Sequence, residues 1–160
     1  MERMLNEYLQ FASSSSVEKT ETFNLSELLE SIISKYEKKE ISMNIPRKIY
    51  LDGRKNLIIR CFNNLIDNSI KYSKNILITL KKSSNNILIT IDDDGPGIPE
   101  SERENVFKPF YKIDKSRSDS KSSVGLGLSI ASDIIRSHGG NITLETSPAK
   151  GLRAKIFLPF

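Results

Sequence analysis

Tryptophan is absent from this 160-residue chain, and cysteine and histidine occur once each, as Cys61 and His138. One thiol cannot close an internal disulfide, and one thiol with one imidazole supplies neither a zinc shell nor a Ser-His-Asp triad. A reducing compartment suits such a sequence, and a cytoplasmic location is expected. No apolar run approaches the roughly 18 to 20 residues that a helix needs to cross a bilayer, and no secretory leader is legible. Charge of one sign is lacking too. The 24 Lys and Arg stand against 20 Asp and Glu, and a net +4 gives no reason to expect nucleic acid or an acidic membrane surface as a partner. What remains is a globular composition, 38% hydrophobic and 28% charged, at a length that builds one domain with a short extension.

Met1, Met4, Leu5, Tyr8, Leu9 and Ala12 recur at the spacing of one helix face, so residues 1–12 are expected to be helical. The serine run Ser13 to Ser16 and the polar stretch after it read as a linker over 13–22, which places the compact domain at 23–160. Asn24 and Glu27 form a capping pair ahead of a helix that the apolar period carries to about Lys38. Short strands are expected at Ile41 to Ile45 and Lys48 to Leu51, then a long helix from about Gly53 to Tyr72 with Asp52 as its cap. Asn75 to Leu80 and Asn86 to Asp92 alternate as the arms of a β-hairpin. Residues 94–123 read as one long functional loop with an apolar island at Val106, Phe107, Phe110 and Tyr111. A helix from about Val124 to Ser137, a Gly139-Gly140 stop and two strands near Asn141 to Thr146 and Leu152 to Leu158 close the chain. This order predicts a two-layer α/β sandwich, with helices on one face of a mixed, mostly antiparallel sheet.

Three places break the apolar pattern. On the long helix, Leu57, Cys61, Asn64, Asn68 and Lys71 share a stripe that starts apolar and turns polar. That end is either a solvated helix face or a set of oxygen ligands, Asn64 and Asn68, for Mg²⁺ beside a phosphate-binding Lys71. In the hairpin, Asp93 continues the face of Ile87, Ile89 and Ile91, so a carboxylate stands where an apolar side chain is due. It opens Asp93-Asp94-Gly95-Pro96-Gly97, where glycine permits reversal and close approach. Finally, Gly125-Leu126-Gly127-Leu128 leads into a helix, whose bare N–H groups favour an anion such as phosphate. Neither a Walker loop nor a Rossmann fingerprint is present.

Taken in order, the Asn64 to Asn68 helix, the Asp93 to Gly97 turn, the Phe107 and Phe110 pair and the Gly125 to Leu128 loop make this chain resemble the catalytic ATP-binding domain of bacterial sensor histidine kinases, of an osmosensor-like subfamily, with its N, G1, F and G2 boxes and Bergerat fold. The resemblance implies ATP and Mg²⁺ as cofactors and a long ATP lid. It implies that Asp93 accepts the adenine amino group, and that Gly95, Gly97 and Ile98 line the base. Asn68 with Asn64 would hold Mg²⁺, Lys71 would meet phosphate, and Tyr72 would lie against adenine or ribose. Lys112, Lys115 and Arg117 would be basic lid residues, and Gly125, Leu126, Gly127 and Leu128 would cradle phosphates. Phe107 and Phe110 are expected in the core as lid anchors. Residues 1–12 would be the end of the second dimerisation helix of a larger kinase, whose phosphoacceptor histidine lies elsewhere and whose partner is a response-regulator receiver domain. His138 is read as structural.

Two departures from the family pattern stand out. Ser123-Val124 replaces a glycine and a hydroxyl at the lid hinge, and Leu152-Arg153 follows Gly151 where small or hydroxylic residues are common. An ATPase of the same superfamily would carry a glutamate base where Asn64 stands. A non-catalytic interaction module that keeps the fold, or an anti-sigma kinase, are the other readings.

Overall fold

The computed structural model describes residues 18–36, 40–46, 48–111 and 126–159. The expected helix over 1–12 and the lid positions Lys112, Lys115, Arg117 and Gly125 lie outside these. The described elements are β1 (Glu21–Asn24), α1 (Leu25–Ser34), β2 (Glu40–Asn44), β3 (Tyr50–Gly53), α2 (Lys55–Tyr72), β4 (Asn75–Lys82), β5 (Asn86–Asp93), α3 (Gly127–Ser137), β6 (Asn141–Thr146) and β7 (Leu152–Pro159), with 3-10 turns at Glu100–Glu102 and Asn105–Phe107.

Period-two alternation decides the main sheet, whose order is β2-β4-β5-β7-β6. Only the β2–β4 pair is parallel. The registers set Ile78 beside Ile91, Ile89 beside Ile156 and Ile142 beside Ile156, so one face is a continuous apolar surface and is buried. Helices cover that face, as expected. The opposite face carries Leu77, Lys81 and Thr143 toward solvent, together with the forked Arg153 to Asp92 pair at 2.6 and 3.0 Å. That carboxylate holds the Arg153 guanidinium above its ordinary pKa.

α2 and α3 run antiparallel along the covered face. Arg54, before α2, meets His138, after α3; the Cys61 thiol points at the Ala131 carbonyl at 3.7 Å; a Cβ on Gly127 would lie 4.0 Å from that of Asn64. Burial pushes the Cys61 thiol well above its usual range, so it serves as a small packing residue.

Local signals succeeded at α1, whose cap Asn24 accepts the Glu27 N–H at 3.2 Å, although the helix stops at Ser34 instead of near Lys38. They failed at α2. Asp52 does not cap it, because β3 runs on to Gly53 and pairs with β1, a strand the sequence does not announce; there Asp52 accepts the Thr22 hydroxyl. The first turn of α2 is instead satisfied by Glu18, whose carboxylate accepts the N–H groups of Asn56 at 2.7 Å and Leu57 at 3.1 Å.

His138 completes this junction. The Arg54 N–H donates to Nε2 at 3.0 Å, so the proton sits on Nδ1, which donates to the Ile134 carbonyl at 2.8 Å. Gly53 leaves room for the ring, since a Cβ there would meet His138 Cδ2 at 2.9 Å. Burial, the largest influence, holds the imidazole below its usual 6.5; the Ile134 carbonyl and the Glu18 charge oppose this and the Arg54 charge adds to it. A depressed folded pKa means that the unfolded chain binds the proton first as pH falls. The tie is therefore complete above pH 6.5, weakens below it, and levels off once the folded pKa is passed. Urea midpoints of the wild-type chain should fall between pH 7 and 5 by an increment that His138→Gln abolishes. Equal pH slopes in the two proteins would contradict the role assigned to His138.

Candidate functional site

The carboxylate that interrupts the apolar face of β5 is received by the β6–β7 turn. Asp93 is 4% exposed, and its Oδ1 accepts the N–H groups of Leu152 at 2.9 Å and Gly95 at 3.0 Å. Its backbone carbonyl accepts the Ser147 hydroxyl at 2.6 Å, and Ser147 Oγ in turn accepts the Gly151 N–H at 2.9 Å. Among the described residues Oδ2 has no hydrogen-bond partner. A buried carboxylate with one oxygen saturated and the other available is an acceptor waiting for a donor-bearing group.

Gly151 makes this socket possible. A Cβ there would lie 2.2 Å from the Asp93 carbonyl oxygen, 2.5 Å from Oδ1 and 2.7 Å from Gly95 N. Ser147 and Gly151 are site-building residues that the motif order alone does not single out; a turn glycine facing an inward carboxylate on the neighbouring strand is the signal that could have found them. Gly95 has its own reason to be glycine, since a Cβ would meet the Tyr72 carbonyl at 2.6 Å. Asp94 points the other way and staples the turn to the chain beyond α2. Its carboxyl is pushed down to about 2, foremost by the Asn75 N–H, then by the Lys74 N–H and the Asn75 amide.

The polar end of the α2 stripe faces the start of α3. Because the helices are antiparallel and Asn64 already meets Gly127, Asn68 lies one turn further along α2, ahead of the α3 N-terminus. No side chain among the described residues caps α3, and its first N–H groups are the kind of end that favours an anion. Asn64 and Asn68 are both half-buried, and neither carboxamide has a hydrogen-bond partner among the described residues. No cluster of three or more His, Cys, Asp or Glu side chains able to hold a metal occurs among those residues either. Two unengaged carboxamides beside an anion-accepting helix end fit a hard cation that shares its shell with phosphate oxygens.

An open groove of about 530 Å³ runs between the end of α2 and the G1 turn, lined by Lys71, Tyr72, Asp94, Gly95 and Pro96 among others. Tyr72 is half-exposed there, with the Lys71 ammonium 5.6 Å from its ring centre. Ile98 and Leu128 pack partly against the core. Leu126 is fully buried, so what it could offer a phosphate is its backbone N–H.

The expectation that Phe107 and Phe110 share a core position needs correcting. Val106 is buried and Phe107 and Tyr111 are partly buried, but Phe110 is 55% exposed. The 3-10 turn ends at Phe107, and Phe110 adopts a φ of 65°, a left-handed backbone that swings its ring to solvent. Tyr111 instead anchors the segment, its hydroxyl donating to Glu102.

A mixed sheet covered by helices on one face, an inward carboxylate at the end of β5 and a bare helix N-terminus ahead of two carboxamides define a nucleotide-binding α/β sandwich. Residues 53–160 match the family described as histidine kinase-, DNA gyrase B-, and HSP90-like ATPases, and the chain belongs to that family as the ATP-binding catalytic domain of the sensor histidine kinase type. It is 36% identical to the sensor histidine kinase CpxA of Escherichia coli (strain K12) over 123 residues, 76% of this chain and 27% of that protein. The sensor histidine kinase WalK of Bacillus subtilis (strain 168) is 29% identical over 174 aligned positions, covering 100% of this chain and 28% of its own. The chain thus spans about a quarter of the length of the curated relatives it matches. Among solved structures, the ATP binding domain of PrrB from Mycobacterium tuberculosis superposes with a TM-score of 0.73 at 25% identity, over 89% of this chain and 98% of that one.

The Gly151 socket carries a direct consequence. Gly151→Ala forces the β6–β7 turn away from Asp93, and since the clashing atoms are backbone, the cost should be about 1–3 kcal/mol, the range of overpacked interiors. Urea denaturation measures it. An alanine variant as stable as the wild type would mean that the turn is not seated on Asp93.

Proposed function

We propose that this chain binds Mg-ATP and transfers the γ-phosphoryl group to a histidine on the dimerisation helices of the kinase it is part of, for onward transfer to an aspartate of a response-regulator receiver domain. The observation that carries the reading is Asp93, a buried carboxylate with Oδ1 saturated by Leu152 and Gly95 and Oδ2 left as an acceptor for the adenine amino group. Gly95, Gly97 and Ile98 then form the wall against the base, and Tyr72 lies against base or ribose from the groove. Gly125, Leu126, Gly127 and Leu128 receive the phosphates at the head of α3, with Lys71, Lys112, Lys115 and Arg117 supplying positive charge.

Asn68 and Asn64 are the residues that would hold Mg²⁺, and the ion would supply positive charge against phosphate. The work of the domain is positioning and electrostatic, with the acceptor imidazole supplied by the dimerisation helices. In this reading residues 1–12 end the second dimerisation helix and a linker follows, but the catalytic unit starts earlier than the expected Phe23, because Glu18 holds the first N–H groups of α2 and β1 opens at Glu21. No helix among the described residues is long and apolar enough to cross a membrane.

Calorimetric titration tests both halves of the proposal. Asp93→Asn keeps an oxygen for the Leu152 and Gly95 N–H groups but turns an amide donor toward the adenine amino group. It should weaken ADP binding by about a hundredfold while the fold survives. Unchanged affinity would remove adenine from this pocket. Asn68→Ala should abolish the strengthening of ATP binding by Mg²⁺ and leave metal-free ADP binding near its wild-type value; an intact Mg²⁺ effect would take the metal away from Asn68.

A further inference from the structure

The turn from Asp93 to Ile98 has little to support it from within. Pro96 brings no N–H, Gly95 and Gly97 bring no side chain, Gly97 reverses the chain at a φ of +73°, and the internal hydrogen bond is that of the Gly95 N–H to Asp93 Oδ1. Its first carbonyl, that of Asp93, is held by the Ser147 hydroxyl at 2.6 Å. Its last carbonyl, that of Ile98, is held by Arg103, whose Nε donates at 3.0 Å. The same guanidinium reaches back with Nη2 to Thr146 Oγ1 at 2.9 Å. Thr146 and Ser147 are adjacent at the end of β6, and Thr146 is registered with Leu152, whose N–H holds Asp93 Oδ1. Both ends of the turn are therefore moored to one dipeptide, directly at one end and through a single side chain at the other.

We propose that Arg103 is a positioning residue of the nucleotide site: by bridging the Ile98 carbonyl and Thr146 it closes a clamp that fixes the Asp93–Ile98 turn against the base. The inference rests on the adenine reading of Asp93. Arginine suits the task because its rigid planar fork serves two acceptors at once from a half-buried position, which an ammonium on a flexible stem does not reproduce. Arg103 also belongs to the segment of 3-10 turns that leads into the lid, so one side chain ties the base of the lid, the base-binding turn and the sheet end together. It touches none of the reacting atoms; its effect passes through the turn.

The test is titration of wild-type, Arg103→Gln, Arg103→Lys and Thr146→Val chains with ADP and with adenosine, both without metal, together with native-state hydrogen exchange at the Gly95 amide. Arg103→Gln is expected to weaken both ligands by the same factor, about tenfold, and to speed exchange at Gly95, whose N–H is bonded to Asp93 Oδ1. Arg103→Lys should resemble it. Thr146→Val, an exposed position that loses only a hydroxyl, should give a smaller loss, and the double variant Arg103→Gln/Thr146→Val should bind no worse than Arg103→Gln alone. Wild-type affinity in Arg103→Gln overturns the clamp and leaves the nucleotide reading standing. A loss for ADP but not adenosine would put Arg103 on the phosphate side, and full restoration by lysine would make it a distant charge; either overturns the clamp. A wild-type chain that binds neither ligand overturns the nucleotide reading and the clamp with it.

Discussion

The structure turns on burying one carboxylate. Carrying Asp93 into the apolar face of β5 would be prohibitive for an unpaired charge, so its surroundings must supply donors with fixed geometry. They come from backbone: the Gly95 N–H on its own turn and the Leu152 N–H on the next strand. Backbone donors can approach this closely only if Gly151 has no side chain, and Ser147 must secure the carbonyl behind it. The β6–β7 turn is thus shaped by a residue far earlier in the chain, and sheet and site are one construction. A solvated aspartate at the same place would need none of this and would bind a ring amine weakly, because water would satisfy it first.

A second constraint follows from the antiparallel pairing of α2 and α3. Apolar stripes set the pairing, through contacts such as Cys61 on the Ala131 carbonyl, and the positive end of α3 is then delivered to the polar end of α2. At the opposite end the pair is locked by the Arg54 and His138 contacts, with Glu18 on the first N–H groups of α2. The segment leading into the domain therefore touches the same helix that carries Asn64 and Asn68, about two and three turns further along. A change in how that segment enters has a rigid element through which to reach the site.

Most of the architecture was legible because its signals are local. Period-two alternation placed β4, β5, β6 and β7, and Asp93 showed itself by breaking that alternation. Asn24 capped α1 because cap and helix are neighbours in sequence. What was not legible is decided by partners distant in the chain. Asp52 looks like a cap, but pairing of β1 with β3 recruits it to Thr22 and leaves α2 to Glu18. The family resemblance pairs Phe110 with Phe107 in the core, yet the 3-10 turn ends at Phe107 and a left-handed step at Phe110 follows, which no local signal announces. Gly151 and Ser147 carry no motif of their own; only the inward carboxylate opposite gives them meaning.

The end of β6 gathers these threads. Thr146 and Ser147 are ordinary surface and turn residues by composition, yet between them they hold both ends of the Asp93–Ile98 turn. The turn is short, rich in proline and glycine, and free of ladder hydrogen bonds, so its shape is imposed from outside. Imposed shape would suit the base-binding role proposed for this turn: what need not be ordered when a ligand arrives adds nothing to the entropy cost of binding. A sheet end can supply that order because it is the stiffest element within reach, paired along β7 and through it to β5, on which Asp93 itself stands. Carboxylate, turn and mooring point are consecutive stations on one hydrogen-bonded circuit, and the site is as rigid as the sheet that closes it.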